Sequence, residues 1–185
     1  DVTAAAAGAP EALVVIRVFD PQGTEDKPLG KQHKWYTTTS GIWQPVWLEV
    51  RPERHITRVR VTPHLTPAAL ECAIEANVAL TGLACRLQVR DEDGTLVADQ
   101  RSDAGQAVLS VPLTGEPRPW HPDTPHLYRV SVQLLEGESV LDEVQTYCGL
   151  REVGIAPPYD GGPKYLTLNG EPIYLRGVLD QAYYP

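Results

Sequence analysis

The chain has 185 residues, of which 42% are hydrophobic and 22% charged, and its formal net charge is −8. This composition suffices for a globular domain with a buried core, and the acidic balance without a clustered basic face excludes a nucleic-acid partner. No apolar run approaches the roughly 18 residues of a membrane-spanning helix, and the opening DVTAAAAGAPEA lacks the features of a signal peptide. Because methionine is absent as well, we expect a piece of a larger, cytoplasmic protein.

The N-terminal part predicts two strands around a polar loop. ALVVIRVFD (12–20) is rich in β-branched residues, PQGTEDKPLGKQHK (21–34) is polar, and WYTTTSGIWQPVWLEV (35–50) predicts a second strand. In this second strand Trp43 and Trp47 share one parity, whereas the other parity carries Val46, Leu48 and Val50. A strand that is apolar on both faces is buried on both sides, which predicts the middle of a sheet or a seam between domains.

Short alternating strands then recur at the spacing of a β-sandwich. They are ITRVRVTPHL (56–65), ALECAIEANVAL (69–80), LACRLQVRD (83–91), TLVAD (95–99), QAVLSVPL (106–113), LYRVSVQLL (127–135) and VLDEVQTYCGL (140–150). The proline-rich GEPRPWHPDTPH (115–126) cannot join a central ladder and predicts a crossover. Seven strands of this kind predict a sandwich of immunoglobulin size.

The C-terminal part predicts a linker followed by a hairpin. GIAPPYDGGP (154–163) is rich in proline and glycine, and YLTLNGEPIYLRGV (165–178) centres on Asn169 and Gly170. Asn-Gly favours the positive φ angles of a type I′ turn. The predicted fold class is therefore all-β, an immunoglobulin-like β-sandwich with flanking β-hairpins.

The three cysteines are predicted to be buried, reduced thiols. Cys72, Cys85 and Cys148 each lie on the apolar parity of a strand, where a free cysteine acts as a small hydrophobe. Their odd number and wide spacing argue against disulfides and against a zinc site.

Two polar clusters invite a metal interpretation. DEDG (91–94) could suggest calcium, but the spacing of an EF-hand is missing and acidic hairpin turns are common. His121 and His126 flank Asp123, although the interleaved prolines favour a rigid loop that packs Trp120. No metal site and no cofactor are predicted.

Four stretches, in this order, resemble glycoside hydrolase family 2, the group of β-galactosidases, β-glucuronidases and β-mannosidases. They are SGIWQPVWLE (40–49), WHPDTPHLY (120–128), YCGLREV (147–153) and LTLNGEPIYLRGV (166–178). The resemblance implies that residues 1–52 end a jelly-roll sugar-binding domain, that 53–153 form the immunoglobulin-like sandwich, and that 154–185 hold a linker and the start of a truncated (β/α)8 barrel. The ending LDQAYYP departs from the Asn-x-His segment of many β-galactosidases, so the resemblance does not identify the sugar.

The same resemblance implies a retaining glycosidase as parent but an inactive chain here. Retaining hydrolysis needs two carboxyls about 5 to 5.5 Å apart, and a barrel takes roughly 250 residues, whereas only residues 164–185 follow the linker. The family's acid/base glutamate follows an asparagine, but Asn77 precedes Val78 and Asn169 precedes Gly170. We expect no catalytic residues, no cofactor and a role in bracing the barrel.

Substrate contacts and partners follow from the same resemblance. Asp180 and Tyr183 would lie near the mouth of the parent's active site, and Trp43 and Trp47 at the seam between jelly-roll and sandwich, or alternatively as a sugar-stacking platform. The expected partners are the remainder of the parent chain, its carbohydrate substrate, and a second copy through the strand edges of residues 12–50. An autonomous carbohydrate-binding or adhesive sandwich module is the alternative function.

Overall fold

The computed structural model of the protein describes residues 2–8, 10–20, 41–157 and 159–179, and all structural statements below concern these residues. They belong to two units, one within 1–48 and 176–185 and the other spanning 49–175. In the first unit α1 (Thr3–Ala6) is a single helical turn. No helix in the described part of the chain is long and apolar enough to cross a membrane.

The second unit contains a seven-stranded β-sandwich, as the alternating pattern predicts. Its strands are β1 (Ile56–Leu65), β2 (Ala68–Ala76), β3 (Ala84–Arg90), β4 (Leu96–Arg101), β5 (Val108–Pro112), β6 (Tyr128–Glu136) and β7 (Ser139–Cys148). One sheet has the order β1-β2-β5 and the other β4-β3-β6-β7, with antiparallel pairing throughout. The all-β, immunoglobulin-like fold class is confirmed.

The core lies between the two sheets because alternate side chains of each strand point inward. Leu70 and Leu109 from the three-stranded sheet face Leu87 and Leu134 from the four-stranded sheet, and all four are fully buried. Each such leucine contributes about 1.5 to 3 kcal/mol relative to an exposed position. The outward residues of β3, which are Arg86, Gln88 and Arg90, are polar, so the period of two specifies which face of this strand is buried.

Two buried polar contacts hold the strand ends of the sandwich. The Tyr128 hydroxyl at the start of β6 accepts a hydrogen bond from the Arg118 N–H at 2.8 Å, which ties the crossover to the core. This is the arrangement of the tyrosine corner that immunoglobulin-like sandwiches share. The buried Asp142 carboxylate on β7 accepts the Ile56 N–H at 2.8 Å and so fixes the first residue of β1.

A third, three-stranded sheet follows the sandwich. It consists of β8 (Val153–Ala156), β9 (Tyr165–Leu168) and β10 (Glu171–Pro172) in the order β10-β9-β8. Asn169 and Gly170 have φ angles of 55° and 87°, which confirms the predicted positive-φ turn. The predicted linker was wrong at its start, because the alternating residues of β8 pair with β9 before the proline-rich segment begins.

The strands predicted at 12–20 and 35–50 are not formed among their described residues. Residues 11–20 and 41–50 contain no strand, and residues 21–40 lie outside the described ranges. Trp43 is 61% exposed and Leu48 71% exposed, so the burial on both faces that was predicted for the second strand is not found in this chain. The reason is that an apolar run becomes a strand only when a neighbouring strand pairs with it.

We expect the cysteines to resist labelling in the native state. Burial, and secondarily the neighbouring Cys85 thiol, raises the pKa of Cys72 from 9.0 to about 11, and burial also raises the pKa of Cys85 and Cys148. The reactive thiolate is therefore scarce at pH 8. A thiol-specific reagent should label all three cysteines in denaturant and few in the folded protein.

The same shift gives stability a pH dependence. Because the folded pKa of Cys72 lies above its unfolded value, its contribution to stability is complete below pH 9 and is lost as the pH rises towards 11. All three cysteines are free in the structure. A Cys72–Cys148 crosslink on a non-reducing gel would contradict this description.

Candidate functional site

Three of the four stretches that carry the resemblance meet at one place, at the end of the sandwich where β8 begins and β9 ends. The crossover contributes Trp120, the segment after β7 contributes Gly149, Arg151 and Glu152, and the β9–β10 turn contributes Asn169. We call these five residues the junction. They are separated by up to 49 positions in sequence, so their meeting is a property of the fold.

Asn169 is the centre of the hydrogen bonding in the junction. Its side-chain N–H donates to the Trp120 carbonyl at 3.0 Å, and its side-chain oxygen accepts the Glu152 N–H at 3.0 Å. Its own N–H donates to the Glu152 carbonyl at 2.8 Å. Asparagine suits this position because it tolerates a positive φ and carries both a donor and an acceptor. One side chain thereby fastens the β9–β10 turn to two other segments.

Trp120 is held between a glycine and a cation. The Arg151 guanidinium carbon lies 4.5 Å from the Trp120 ring centroid, within the range of a cation–π contact. A Cβ atom added to Gly149 would lie 2.9 Å from the Trp120 Cγ, so only glycine admits the ring at this distance. The Trp120 N–H also donates to the Leu150 carbonyl at 2.8 Å. The indole is thus fixed through its backbone and its ring.

The carboxylate of the junction serves a structural contact. Glu152 Oε1 accepts the Leu65 N–H at 2.8 Å, which connects the end of β1 to the start of β8. The remaining junction groups are an indole, a guanidinium, an amide and a glycine, and this set offers neither a nucleophile nor a general acid–base pair. Its chemistry is that of a rigid connection between the sandwich and the sheet β8–β10.

A second cluster surrounds His126, which is 4% exposed. Its Nε2 lies 2.6 Å from Asp91 Oδ1 and its Nδ1 lies 3.3 Å from Glu92 Oε2, although neither ring nitrogen makes a directed hydrogen bond. The ring stands edge-on to Tyr128 with 4.8 Å between centroids. Arg118 approaches both carboxylates at 3.6 and 4.0 Å. The cluster therefore ties the crossover to the β3–β4 turn.

The metal alternatives gain no support from the geometry. Asp93 caps the β3–β4 turn by accepting the Thr95 N–H at 2.8 Å. His121 lies 3.4 Å from Asp123, whereas His126 turns to the other cluster, so the three residues do not converge. Within the described ranges no three His, Cys, Asp or Glu side chains are placed to hold a metal ion.

The two substrate-contact candidates, Asp180 and Tyr183, lie outside the described residues. Among the residues that sequence reasoning missed, Asn169 was assigned only to a turn, and Gly149, Arg151 and Glu152 were noted only as part of YCGLREV. The signal was present in the sequence as a small residue, Gly149, and two charged residues, Arg151 and Glu152, at the end of a predicted strand, with Leu150 between the glycine and the charges. What the pattern could not supply was the identity of their partners in space.

Comparison with known proteins gives one consistent result. The model of the family described as glycosyl hydrolases family 2 matches residues 54–151. A β-galactosidase of Thermoanaerobacter pseudethanolicus is 29% identical over 183 residues, covering 95% of this chain and 24% of that protein. A putative β-glucuronidase of Formosa agariphila is 32% identical over 161 residues, covering 84% of this chain and 15% of that protein.

A solved structure shows the same fold. The crystal structure of Ruminococcus gnavus β-glucuronidase matches with a TM-score of 0.51 and 25% sequence identity. The match covers 68% of this chain and 20% of that enzyme. The chain therefore spans about a quarter or less of the length of each protein to which it is compared here.

Proposed function

The chain belongs to glycosyl hydrolases family 2, and from this premise we propose that it is a non-catalytic portion of a glycoside hydrolase that braces a catalytic barrel. The observation that carries the proposal is the junction. There, residues from three of the stretches that resemble the family connect the sandwich to the sheet β8–β10. The single side chain of Asn169 makes hydrogen bonds to two other segments there, one at Trp120 and one at Glu152. A domain that braces its neighbour must hold a fixed geometry. The directed hydrogen bonds of the junction are suited to this, because each of them fixes one segment relative to another.

Domain limits of 1–52, 53–153 and 154–185 are part of this proposal. The seven sandwich strands fall within 56–148, which supports the central domain. In the family a jelly-roll precedes the sandwich and a barrel follows it. Hydrolysis of an O-glycosidic bond, a carbohydrate substrate, and contact of Asp180 and Tyr183 with that substrate are proposed for the longer protein only. We also propose the cytoplasm as its compartment, where free thiols such as Cys72 remain reduced.

The purified chain should not hydrolyse nitrophenyl β-galactosides, β-glucuronides or β-mannosides. The physical reason is that the junction has no acid–base pair and that the carboxylates Asp91 and Glu92 are engaged by His126 and Arg118. An intact family 2 enzyme under the same conditions is the positive control. Turnover that disappears in an Asp91→Asn or Glu92→Gln variant with an unchanged thermal midpoint would overturn the proposal.

We expect the chain alone to associate with itself through residues 12–50. The side chains of Leu13 and Val15 are 90% and 79% exposed, and the apolar side chain of Val50 is fully exposed as well. Exposed apolar surface of this kind is covered by a neighbouring domain or by another copy. Light scattering at micromolar concentration should give a mass above 20.3 kDa.

Matched variants localise this association. Leu13→Lys with Val15→Lys should lower the apparent mass, because two charges enter the apolar surface. Glu11→Lys, in the same segment, changes the net charge by the same amount without removing an apolar side chain and should leave the mass largely unchanged. A strict monomer at every concentration would show that this surface drives no association.

A further inference from the structure

The junction contains the only Asn-Gly pair of the chain, Asn169-Gly170. Asparagine is a thermolabile residue, because the backbone nitrogen of the next residue can attack its side-chain amide carbon. A following glycine favours this attack, since it has no side chain to shield its nitrogen. The other asparagine, Asn77, precedes the β-branched Val78. The sequence thus places its most deamidation-prone pair in the turn that fastens the sheet β8–β10.

The attacking nitrogen is accessible in the structure. Gly170 is exposed, and its N–H donates to no described residue. A Cβ atom added at Gly170 would meet nothing within 4 Å, so its surroundings are open. Neither burial nor hydrogen bonding therefore restrains the Gly170 nitrogen.

The amide that would be attacked is held at both of its polar atoms. Asn169 Nδ2 donates to the Trp120 carbonyl at 3.0 Å, and Oδ1 accepts the Glu152 N–H at 3.0 Å. Ring closure moves the Asn169 Cγ towards the Gly170 nitrogen and expels Nδ2, so both side-chain bonds are lost on the way to the ring. The closed junction therefore opposes a reaction that the sequence favours.

We propose that Asn169 is a site of spontaneous deamidation that is gated by the junction. While the junction is open, the Gly170 nitrogen forms a bond to the Asn169 Cγ and gives up its proton, and Nδ2 leaves as ammonia. Water then opens the resulting cyclic imide at either of its carbonyls, which gives aspartate or isoaspartate. In sum one water is consumed and one ammonia is released, with no change of oxidation state.

Neither product restores the junction. An aspartate side chain still accepts the Glu152 N–H, but it has no N–H to donate to the Trp120 carbonyl. An isoaspartate adds a methylene group to the backbone of the two-residue turn between β9 and β10, which disturbs their register. Deamidation therefore converts a reversible opening of the junction into a permanent loss. This limits the lifetime of the junction whether or not the junction braces a barrel.

Peptide mapping by mass spectrometry tests the proposal on the purified chain at mildly alkaline pH. A synthetic peptide of residues 165–174 gives the rate of the same Asn-Gly pair without the junction. Deamidation of Asn169 in the native chain should be at least about tenfold slower than in the peptide, because two hydrogen bonds must open first. In urea above the unfolding midpoint the chain should react about as fast as the peptide in the same urea, whereas Asn77 should react far more slowly.

Variants that weaken the junction without changing the Asn-Gly pair should accelerate the reaction. Gly149→Ala displaces the Trp120 ring and should raise the native-state rate several-fold. Arg151→Gln removes only the cation–π contact with Trp120, and it replaces the first variant if that variant does not fold, with a smaller rise expected. Gly177→Ala, where a Cβ atom meets nothing within 4 Å, is the matched control and should react as the unmodified chain does.

Ion exchange separates the deamidated chain, because it carries an additional negative charge. Its thermal midpoint should lie below that of the unmodified chain, and Asn169→Asp should lower the midpoint as well. An unchanged midpoint in both would show that the junction tolerates the modification, which contradicts the proposed permanent loss.

The gating itself has two outcomes that would overturn it. Deamidation of the native chain at the rate of the peptide would show that the junction does not restrain Asn169. Equal native-state rates in the unmodified chain and in folded Gly149→Ala and Arg151→Gln variants would place the restraint outside the junction. Absence of reaction at Asn169 in urea would remove the site altogether.

Discussion

Asn169→Ala should lower the free energy of unfolding by about 2 to 4 kcal/mol. The substitution removes two side-chain hydrogen bonds, which leaves the Glu152 N–H and the Trp120 carbonyl without their partner. It also places alanine at a φ of 55°, a conformation that is costly for residues other than glycine and asparagine. Urea unfolding followed by fluorescence measures the loss.

Two variants separate the causes of this effect. Asn169→Gly removes the same hydrogen bonds without backbone strain, so its loss should be smaller by about 1 kcal/mol. Asn77→Ala removes a comparable pair of bonds, from the His55 N–H and to the Glu53 carbonyl, at another end of the sandwich. If Asn169→Ala costs less than about 0.5 kcal/mol, the junction does not hold the turn.

Gly149→Ala should destabilise the protein by about 2 to 3 kcal/mol. The new methyl group would lie 2.9 to 3.0 Å from three side-chain atoms of Trp120. Trp120 cannot retreat easily, because its backbone is bonded to Leu150 on one side and to Asn169 on the other. The clash outweighs the roughly 0.5 to 1 kcal/mol that alanine otherwise gains over glycine in a regular element.

A double substitution tests whether the clash is the cause. Trp120→Leu in the Gly149→Ala background should recover part of the loss, giving a coupling energy above about 0.5 kcal/mol. Gly177→Ala is the control, because a Cβ there meets nothing within 4 Å. That control should change stability by less than about 0.5 kcal/mol. Strictly additive single effects at Trp120 and Gly149 would show that the ring does not limit the substitution.

The sandwich could be predicted from the sequence because its signal is local. Most of its strands alternate inward apolar and outward residues, and the period of two places Leu70, Cys72 and Ile74 in the core without knowledge of their partners. The turn at Asn169 was predictable for the same reason, since two residues determine it. Local patterns thus gave the strands and the type of turn.

The N-terminal strands and the junction depend on partners distant in sequence. ALVVIRVFD has the composition of a strand, yet its described residues form none without a neighbour to pair with. The contact of Asn169 with Trp120 spans 49 positions, and neither residue indicates the other. The period of the hydrophobic residues therefore predicts which side chains are buried, but it does not predict which segments of the chain pair with one another.

Native-state hydrogen exchange tests most directly whether the sandwich and the sheet β8–β10 form one rigid brace. The Trp120 N–H donates to Leu150 and the Asn169 N–H to Glu152, both at 2.8 Å, and Val132 lies in the centre of the sandwich core. If the junction is rigid, the Trp120 and Asn169 amides should exchange with the same opening free energy as the Val132 amide, within about 0.5 kcal/mol, because they open only in global unfolding. Exchange of the Asn169 amide through a local opening several kcal/mol lower would contradict a bracing role.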